Sequence, residues 1–454
     1  MLILADENIP FAREALGALG EVRLVAGRAI SRETLREAEV LLVRSVTRVN
    51  AALLAGSRIK FVGTATIGSD HIDLEYLQQN GIAFASAAGC NANSVAEYVV
   101  AALLHVAAQR KIALEGLTLG IVGVGNVGSR VAEKARALGL KILLHDPPLE
   151  TLLNSRAPST LCPELQQNFS RLALSQFHTL EDLMAADILT LHTPLVRAGP
   201  HPTFHLFDES RLRMMTPGRV LLNTARGEVV DNLALKKTLR SGFLSAAILD
   251  VWEHEPHIDP ELAELTALAT PHIAGYSFDG KVKGTWLIYE ALCRFLQIEP
   301  TWDFAPLLPQ VAQPEIYLRD SETSQKIPPS RGAGGCHEAS KLKKEKQGRT
   351  TVTNFEGFIR TEEHPPGSPQ GGNIKTLHDA VRHAYDIAAD DKRLREGVLR
   401  RDWSQEERGK HFDKLRHEYP IRREFPNYRV QLEHDEHTIG KRLRALGFHV
   451  ESEP

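Results

Sequence analysis

Residues 119–128 read LGIVGVGNVG, an apolar run that leads into a glycine pattern at Gly123, Gly125 and Gly128. The run has the length and aliphatic composition of a buried strand, and apolar side chains recur at helical spacing after it, as far as Leu138. A second apolar run, residues 142–144, then ends near Asp146. A G-x-G-x-x-G pattern between a strand and a helix is typical of a dinucleotide-binding βαβ unit, whereas the pattern alone is weak evidence.

Each part of this loop has a physical role in holding a dinucleotide. The first glycine permits a tight turn, the second lets backbone approach a pyrophosphate, and the third lets the helix pack closely. The helix start, at Asn126 and Val127, presents free N–H groups and the positive end of the helix dipole to the phosphates. Asp146 lies where a carboxylate accepts hydrogen bonds from the adenosine ribose and repels a ribose phosphate, so we expect NAD rather than NADP. The alternative, turn glycines beside an unrelated acid, is the weaker interpretation in this context.

Short aliphatic runs alternate with amphipathic stretches from residue 1 to about residue 300, which is typical of parallel α/β architecture. The runs that we expect to form buried strands are Leu2–Ala5, Val40–Val43, Phe61–Gly63, Leu119–Val122, Ile142–Leu144, Ile188–Leu191, Val220–Leu222 and Ala247–Leu249.

A long helix is predicted to begin near Ser94, between two α/β segments. One apolar stripe runs along it, formed by Val95, Tyr98, Val99, Ala102, Leu103 and Val106. Ser94 and Glu97 have the spacing of a capping box, which would start the helix. We expect this helix to connect two domains.

Composition and charge exclude several classes of protein. Of the 454 residues, 43% are hydrophobic and 24% are charged, which is enough apolar material for several folded cores. The formal net charge of −3 provides no basic field for nucleic acid or for an anionic membrane. Four scattered cysteines and the lack of a long apolar run favour a cytoplasmic protein without a membrane span.

The composition changes after about residue 305. Residues 320–373 are rich in Gly, Pro, Ser and Lys and lack periodicity, so we predict a linker or insertion, disordered in part, over 305–374. An ordered pattern resumes over 375–454, but this segment is short and highly charged. Because so small a unit has a limited core of its own, we expect it to pack against a partner subunit in a homodimer.

Three further polar segments follow predicted strands, at the sheet edge where ligands bind in open α/β folds. They contain Arg226, Glu255 and His272. An arginine can hold a carboxylate in a bidentate grip, a histidine can shuttle a hydroxyl proton, and a carboxylate can orient that histidine. Each residue alone has an ordinary structural explanation. Their occurrence together after a nucleotide-binding motif predicts a dehydrogenase site.

These residues, in this order after the glycine-rich loop, resemble the D-isomer-specific 2-hydroxyacid dehydrogenase family. The resemblance extends to residues 43–50 (VRSVTRVN), 61–66 (FVGTAT), 89–92 (GCNA), 146–148 (DPP), 191–195 (LHTPL) and 271–276 (PHIAGY). It implies an α/β fold of two Rossmann-like or flavodoxin-like parallel-sheet domains with a cleft between them, and a small α+β C-terminal dimerization domain. The implied domains are a substrate-binding lid (1–93 and 276–304), an NAD-binding Rossmann domain (94–275) and the dimerization domain (375–454).

The resemblance also implies residue roles. Arg226, Glu255 and His272 would be catalytic, with His272 as the proton donor or acceptor. Other residues would contact the substrate: Ser45, Thr66 and Tyr276. The remaining NAD-pocket residues would be Thr193, Thr224, Ala225, Asp250 and Gly275.

The implied substrate is a phosphorylated hydroxy acid, 4-phospho-D-erythronate, which is oxidised in pyridoxal 5'-phosphate biosynthesis. A substrate with a carboxylate at one end and a phosphate at the other needs two anion sites, and Arg226 supplies one. The loop after residue 43 offers two guanidinium groups, so we expect Arg44 or Arg48 near the phosphate. A solvated basic turn is the alternative for either arginine.

Two other functions remain open at this stage. One is a different 2-hydroxyacid dehydrogenase, such as one acting on phosphoglycerate. The other is a non-catalytic NAD-responsive binding protein, since fold does not fix function. No metal is assigned, because His201 and His205 flank a proline and lack the acid of a zinc-binding H-E-x-x-H motif.

Overall fold

The computed structural model describes residues 1–155, 177–318, 369–432 and 437–452. Residues 319–368 of the predicted linker lie outside the described residues, as do Cys162 and Cys336. Within the described ranges, no helix combines the length and the apolar character needed to cross a membrane.

A five-stranded parallel sheet forms the first unit, in the order β2-β1-β3-β4-β5, which is the flavodoxin-like order. Its strands are β1 (Leu2–Asp6), β2 (Glu21–Val25), β3 (Val40–Val43), β4 (Phe61–Thr64) and β5 (Ala83–Ser86). Its short helices are α1 (Ala12–Leu16), α2 (Ala51–Leu54) and α3 (Leu74–Gln79). The central strands β3 and β4 are buried throughout, which explains their continuous apolar sequences.

Helix α4 (Ala92–Arg110) leads from the first unit into the second and is buried along most of its length. All residues of its predicted apolar stripe are buried, and it packs against helices of every other unit. The predicted capping box is wrong, because the helix begins before Ser94. The Ser94 hydroxyl instead donates to the Ala274 carbonyl oxygen over 2.8 Å, and Glu97 accepts from the Phe425 backbone N–H over 2.8 Å. These two side chains therefore form hydrogen bonds with residues of other elements and do not cap the helix.

A six-stranded parallel sheet forms the second unit, in the order β11-β10-β9-β8-β6-β7. Its strands are β6 (Thr118–Val122), β7 (Lys141–His145), β8 (Ile188–Leu191), β9 (Val220–Asn223), β10 (Ala246–Leu249) and β11 (Leu268–Ala269). Its helices are α5 (Asn126–Ala137), α6 (Pro147–Asn154), α7 (Leu180–Leu183), α8 (Glu209–Met214), α9 (Asn232–Arg240) and α10 (Pro260–Leu265). The strand order reverses beside β6, and this switch point is where open α/β sheets bind ligands.

The chain then returns to the first sheet through α11 (Phe278–Leu296), which packs on β4 and β5. The Ser277 side chain caps this helix by accepting from the Gly280 N–H over 2.9 Å. Residues 272–277 therefore form the junction between the two sheets, immediately after β11.

The C-terminal unit combines helices with a three-stranded parallel sheet, in the order β12-β13-β14. It consists of β12 (Glu315–Leu318), α12 (Pro369–Ala384), α13 (Ile387–Val398), α14 (Gln405–His417), β13 (Arg429–Leu432), α15 (His437–Leu446) and β14 (His449–Ser452). The predicted linker 305–374 is wrong at both ends, because β12 and the start of α12 lie within it. A four-residue strand with one fully buried side chain, Ile316, has too little periodicity to predict. The predicted fold class, two parallel-sheet units and a small α+β unit, is confirmed.

Candidate active site

The glycine-rich loop lies at the carboxyl end of β6. Gly123 has a φ of +86°, a conformation that favours glycine. A Cβ at Gly128 would lie 2.0 Å from the Gly123 carbonyl oxygen, so this position must lack a side chain for α5 to pack. A Cβ at Gly125 would meet no atom within 4 Å, which leaves open space beside the start of α5. Gly128 therefore serves the fold, whereas Gly125 leaves room for a ligand.

Asp146 fixes this loop to the end of β7. Its Oδ2 accepts from the Val124 N–H over 2.8 Å, and its Oδ1 accepts from the Leu149 N–H over 3.0 Å, which caps α6. A carboxylate has about four lone-pair positions, so both oxygens can still accept from ribose hydroxyls.

Two polar atoms beside the loop are buried and have no hydrogen-bond partner: Asn126 Oδ1 and Thr193 Oγ1. The Thr193 methyl group lies against Gly123, and Asn126 is the first residue of α5. Because buried polar atoms are almost always hydrogen-bonded, these two indicate a ligand at this place. The open space at Gly125, the free helix N-terminus and these unpaired atoms fit the diphosphate and ribose of NAD.

His272 and Glu255 form a hydrogen-bonded pair, with His272 Nδ1 2.8 Å from Glu255 Oε2. Glu255 Oε1 accepts from the Trp252 N–H over 3.0 Å, which fixes the carboxylate. Burial raises the pKa of Glu255, but the charge and hydrogen bond of His272 and the charge of Arg416 outweigh burial, so the net pKa is lowered. An ionised Glu255 accepts a hydrogen bond from Nδ1–H, which leaves His272 Nε2 to exchange a proton with a substrate.

The backbone around His272 is held by Asp250. His272 has a φ of 57°, and its N–H donates to the Asp250 carbonyl oxygen over 2.7 Å. The Asp250 carboxylate accepts from the N–H groups of Ile273 and Ala274 over 2.8 and 2.9 Å and is 1% exposed. Asp250 is predicted from its sequence context to line the NAD pocket, but its carboxylate faces the backbone of this loop.

Arg226 extends from the loop after β9 toward the first unit. Its Nη2 lies 3.0 Å from Asp70 Oδ2, and its Nη1 donates to the Ala225 carbonyl oxygen over 2.7 Å. The Asn223 side chain shapes this loop by accepting from the Ala225 N–H over 3.0 Å and donating to the Arg226 carbonyl oxygen over 2.9 Å. Neither Asp70 nor Asn223 is predicted from sequence as a site residue, because the role of each depends on its contacts with Arg226 or with the Arg226 loop.

Thr224, in the same loop, lies against His192. Its Oγ1 is 3.2 Å from His192 Nδ1. Burial lowers the pKa of His192 to about 3, so this ring is neutral and serves as a hydrogen-bonding partner inside the sheet edge.

The predicted substrate residues of the first unit lie on loops that follow β3 and β4. The Thr66 hydroxyl donates to the Gly68 carbonyl oxygen over 3.1 Å, in the loop that also carries Asp70. Arg44 is half-buried, whereas Ser45 and Arg48 are exposed.

The C-terminal unit reaches the same site, which sequence reasoning missed. The Arg422 guanidinium donates from Nη2 to the Ala274 carbonyl oxygen over 3.2 Å, and the Ser277 hydroxyl donates to Glu424 Oε1 over 2.7 Å. The guanidinium carbon of Arg416 lies 5.9 Å from the centroid of the Tyr276 ring. The sequence feature that could have indicated this contact is the polar run Arg422-Arg423-Glu424, which directly precedes the apolar residue Phe425. The junction 272–277 is thus braced by the C-terminal unit.

The two histidines considered for a metal do not act together. His205 Nε2 lies 2.7 Å from Glu253 Oε1, at hydrogen-bond distance within the second unit. Among the described residues, no group of three or more His, Cys, Asp or Glu side chains is arranged to hold a metal ion.

Residues 94–274 match the family described as D-isomer specific 2-hydroxyacid dehydrogenase, NAD binding domain, and residues 369–447 match a domain family of unknown function. Erythronate-4-phosphate dehydrogenase from Marinobacter nauticus is 39% identical over 449 residues, 99% of each chain. The enzyme of the same name from Proteus mirabilis is 40% identical over 453 residues, again 99% of each chain.

Solved structures are also similar to this chain. D-lactate dehydrogenase from Aquifex aeolicus, complexed with NAD and lactic acid, is 26% identical with a TM-score of 0.51, and the match covers 65% of this chain and 96% of that one. A Thermus thermophilus protein is 29% identical with a TM-score of 0.55, covering 66% and 98%. The predicted enzyme class and cofactor are confirmed: the chain is an NAD-dependent oxidoreductase. With full-length relatives at 39% and 40% identity, the chain belongs to the D-isomer-specific 2-hydroxyacid dehydrogenases, in the family of the erythronate-4-phosphate dehydrogenases.

Proposed function

We propose that this chain oxidises 4-phospho-D-erythronate to 3-hydroxy-2-oxo-4-phosphooxybutanoate, as a step of pyridoxal 5'-phosphate biosynthesis. The observation that carries the proposal is the His272–Glu255 pair, 2.8 Å apart, in the cleft that also holds Arg226. The relatives that bear the name erythronate-4-phosphate dehydrogenase match this chain over 99% of its length, which supports the same substrate.

The chain's own residues divide the work of the reaction. Arg226 binds the substrate carboxylate and so orients the neighbouring carbinol carbon. His272 Nε2 accepts the hydroxyl proton, and Glu255 stabilises the imidazolium that forms. The glycine-rich loop would hold NAD, whose oxidised nicotinamide would supply the hydride acceptor.

The cofactor and substrate sets are part of the proposal. The NAD pocket consists of Gly123, Gly125, Asn126, Val127, Gly128, Asp146, Thr193, Thr224, Ala225 and Gly275, with Asp250 holding the adjoining loop. Substrate is bound by Ser45, Thr66 and Tyr276 and by an arginine of the loop 44–48. We assign 1–93 and 276–304 to a lid domain and 94–275 to the NAD domain, which the two separate sheets support.

A substrate panel tests this function. NADH formation is measured with 4-phospho-D-erythronate, 3-phosphoglycerate and D-lactate at matched concentrations. We expect kcat/KM to be highest for 4-phospho-D-erythronate by at least about 100-fold, because a missing or misplaced anionic group leaves a buried cation unpaired. A preference for 3-phosphoglycerate would assign the chain to another reaction of the same family. Binding of NAD without NADH formation from any substrate would favour a non-catalytic role.

A homodimer formed through the C-terminal unit is also proposed. Two large apolar side chains of this region are exposed, Tyr317 at 74% and Ile421 at 65%. Deleting the unit is a poor test, because Arg422 braces the catalytic loop. A better test than deletion is to measure by light scattering the mass of the full chain and of the variants Tyr317→Glu and Ile421→Glu. A monomer mass for the unaltered chain contradicts the proposal.

A cytoplasmic location is proposed on the state of the cysteines. Cys90 and Cys293 are both buried free thiols, as expected in a reducing compartment. Fractionation of cells that express the tagged chain tests this, and recovery in an oxidising compartment would contradict it.

A further inference from the structure

Lys281 lies on the first turn of α11, directly after the catalytic junction. Its Nζ is 4.6 Å from the centroid of the Tyr276 ring, and Tyr276 follows Gly275 in the loop that carries His272. The ammonium group therefore lies over the face of a ring that the proposed function places against substrate.

Positive charge surrounds this ammonium group. The charged groups that act on Lys281 are Arg44, from the loop after β3, and Arg422, from the C-terminal unit. Burial and these two arginines lower the pKa of Lys281 to about 8. A third cation, Arg416, lies beside the same tyrosine.

The nearby acids are committed to other partners. Asp279, on the same helical turn, lies 2.9 Å from the Arg423 guanidinium and also accepts from the Glu424 N–H over 3.0 Å. Glu424 accepts from Ser277 and Asn93. Among the described residues, no carboxylate forms an ion pair with Lys281. A half-buried cation among cations is unfavourable without an anion, so an anionic ligand is the missing partner.

The substrate's two anionic ends cannot share one cation. Arg226 faces the first unit through Asp70 and takes the carboxylate, which leaves the phosphate for a second site. We propose that Lys281 and Arg44 bind the distal phosphate and thereby select phosphorylated over unphosphorylated 2-hydroxy acids. This inference rests on the proposed function. It also favours Arg44 of the two lid arginines, because Arg44 is half-buried and its charge acts on Lys281, whereas Arg48 is exposed.

Lys281→Met tests the proposal when it is assayed on two substrates, 4-phospho-D-erythronate and D-erythronate. We expect kcat/KM for the phosphorylated substrate to fall at least about 30-fold, mostly through KM, because a charge-assisted hydrogen bond is lost. The value for D-erythronate should change less than about twofold, since that substrate has no group for Lys281. Lys281→Arg should restore most of the preference.

Lys283→Met, on the same helix, is the matched control and should keep the unaltered ratio of the two kcat/KM values. Inorganic phosphate supplies a readout without turnover: it should inhibit competitively, and its Ki should rise about 10-fold or more in Lys281→Met. Equal losses on both substrates, or an unchanged ratio, would overturn the proposal. If the unaltered enzyme oxidises only a different phosphorylated hydroxy acid, the proposed function fails, and the same Lys281 comparison is then made on that substrate and its unphosphorylated form.

Discussion

Arg226 and Asp70 form a salt bridge across the cleft, with 3.0 Å between Nη2 and Oδ2. Asp70 belongs to the first unit and Arg226 to the second, so the pair links the two sheets that enclose the site. The residue that we propose to bind the substrate carboxylate is therefore already paired with a carboxylate of the protein. On this proposal the substrate has to replace Asp70, and the exchange weakens substrate binding.

Asp70→Asn should strengthen substrate binding. The asparagine removes the competing charge but keeps a group of the same size beside Arg226. An exposed ion pair contributes up to about 1 kcal/mol, so we expect KM to fall about two- to fivefold in steady-state kinetics. The difference should shrink at high salt, where such charges are screened. An increased KM would mean that Asp70 helps to hold Arg226 in its binding position.

Asp146→Asn should weaken the preference for NAD over NADP. The single amide oxygen can still accept from the Leu149 N–H and cap α6, whereas the hydrogen bond from the Val124 N–H is lost, because the amide nitrogen cannot accept it. The charge that repels a ribose phosphate is lost, and we expect the ratio of kcat/KM with NADP to that with NAD to rise about 10-fold or more, equivalent to about 1.4 kcal/mol. An unchanged ratio in a variant with normal thermal stability would place the cofactor selectivity elsewhere.

Gly125→Ala and Gly128→Ala should separate cofactor binding from folding. The Gly125→Ala methyl group enters open space, so thermal stability should be unchanged while the Kd for NAD rises about 10-fold or more. The Gly128→Ala methyl group would meet the Gly123 carbonyl oxygen, so this variant should lose stability by about 1–3 kcal/mol. Calorimetric titration and thermal unfolding of both variants measure this. Equal NAD binding in Gly125→Ala and the unaltered chain would contradict the assigned role.

The preference for the phosphorylated substrate should decline in alkaline solution. The pKa of Lys281 is lowered to about 8 by burial and by Arg44 and Arg422, so its charge is present below pH 8 and is lost as the pH rises through that value. The kcat/KM ratio of 4-phospho-D-erythronate to D-erythronate should therefore fall above pH 8. In Lys281→Arg the decline should be absent, because a guanidinium stays charged. The same decline in both enzymes would assign it to a group other than Lys281.

The sequence predicted the parts of this structure that local pattern controls. The buried strands have continuous aliphatic runs because both faces of their sheets are covered, and the glycine loop has a fixed spacing. By contrast, residues 315–318, which were predicted as part of the linker, form the strand β12. This strand pairs with β13, more than a hundred positions later in the sequence, so no local pattern predicts it. The spacing of Ser94 and Glu97 predicts a helix cap at Ser94. Ser94 instead lies within the helix, is fully buried, and donates its hydroxyl hydrogen bond to the Ala274 carbonyl oxygen.

The candidate site shows the same division. Arg226, Glu255 and His272 follow strands of one sheet, so the parallel topology alone brings them to one edge. Arg422 and Arg416 reach that edge from the C-terminal unit, and no local pattern encodes their approach. Lys281 resembles any surface lysine in sequence, and only the arginines that surround it in space distinguish it.

Single-turnover kinetics of His272→Ala test the central claim most directly. With NAD and 4-phospho-D-erythronate at saturating concentrations, we expect the rate of NADH formation to fall about 100- to 10,000-fold, which is the usual contribution of a general base. The Kd for NAD should stay unchanged, because His272 lies outside the glycine-rich loop. A rate within about threefold of the unaltered enzyme would contradict the assignment of His272 as the base.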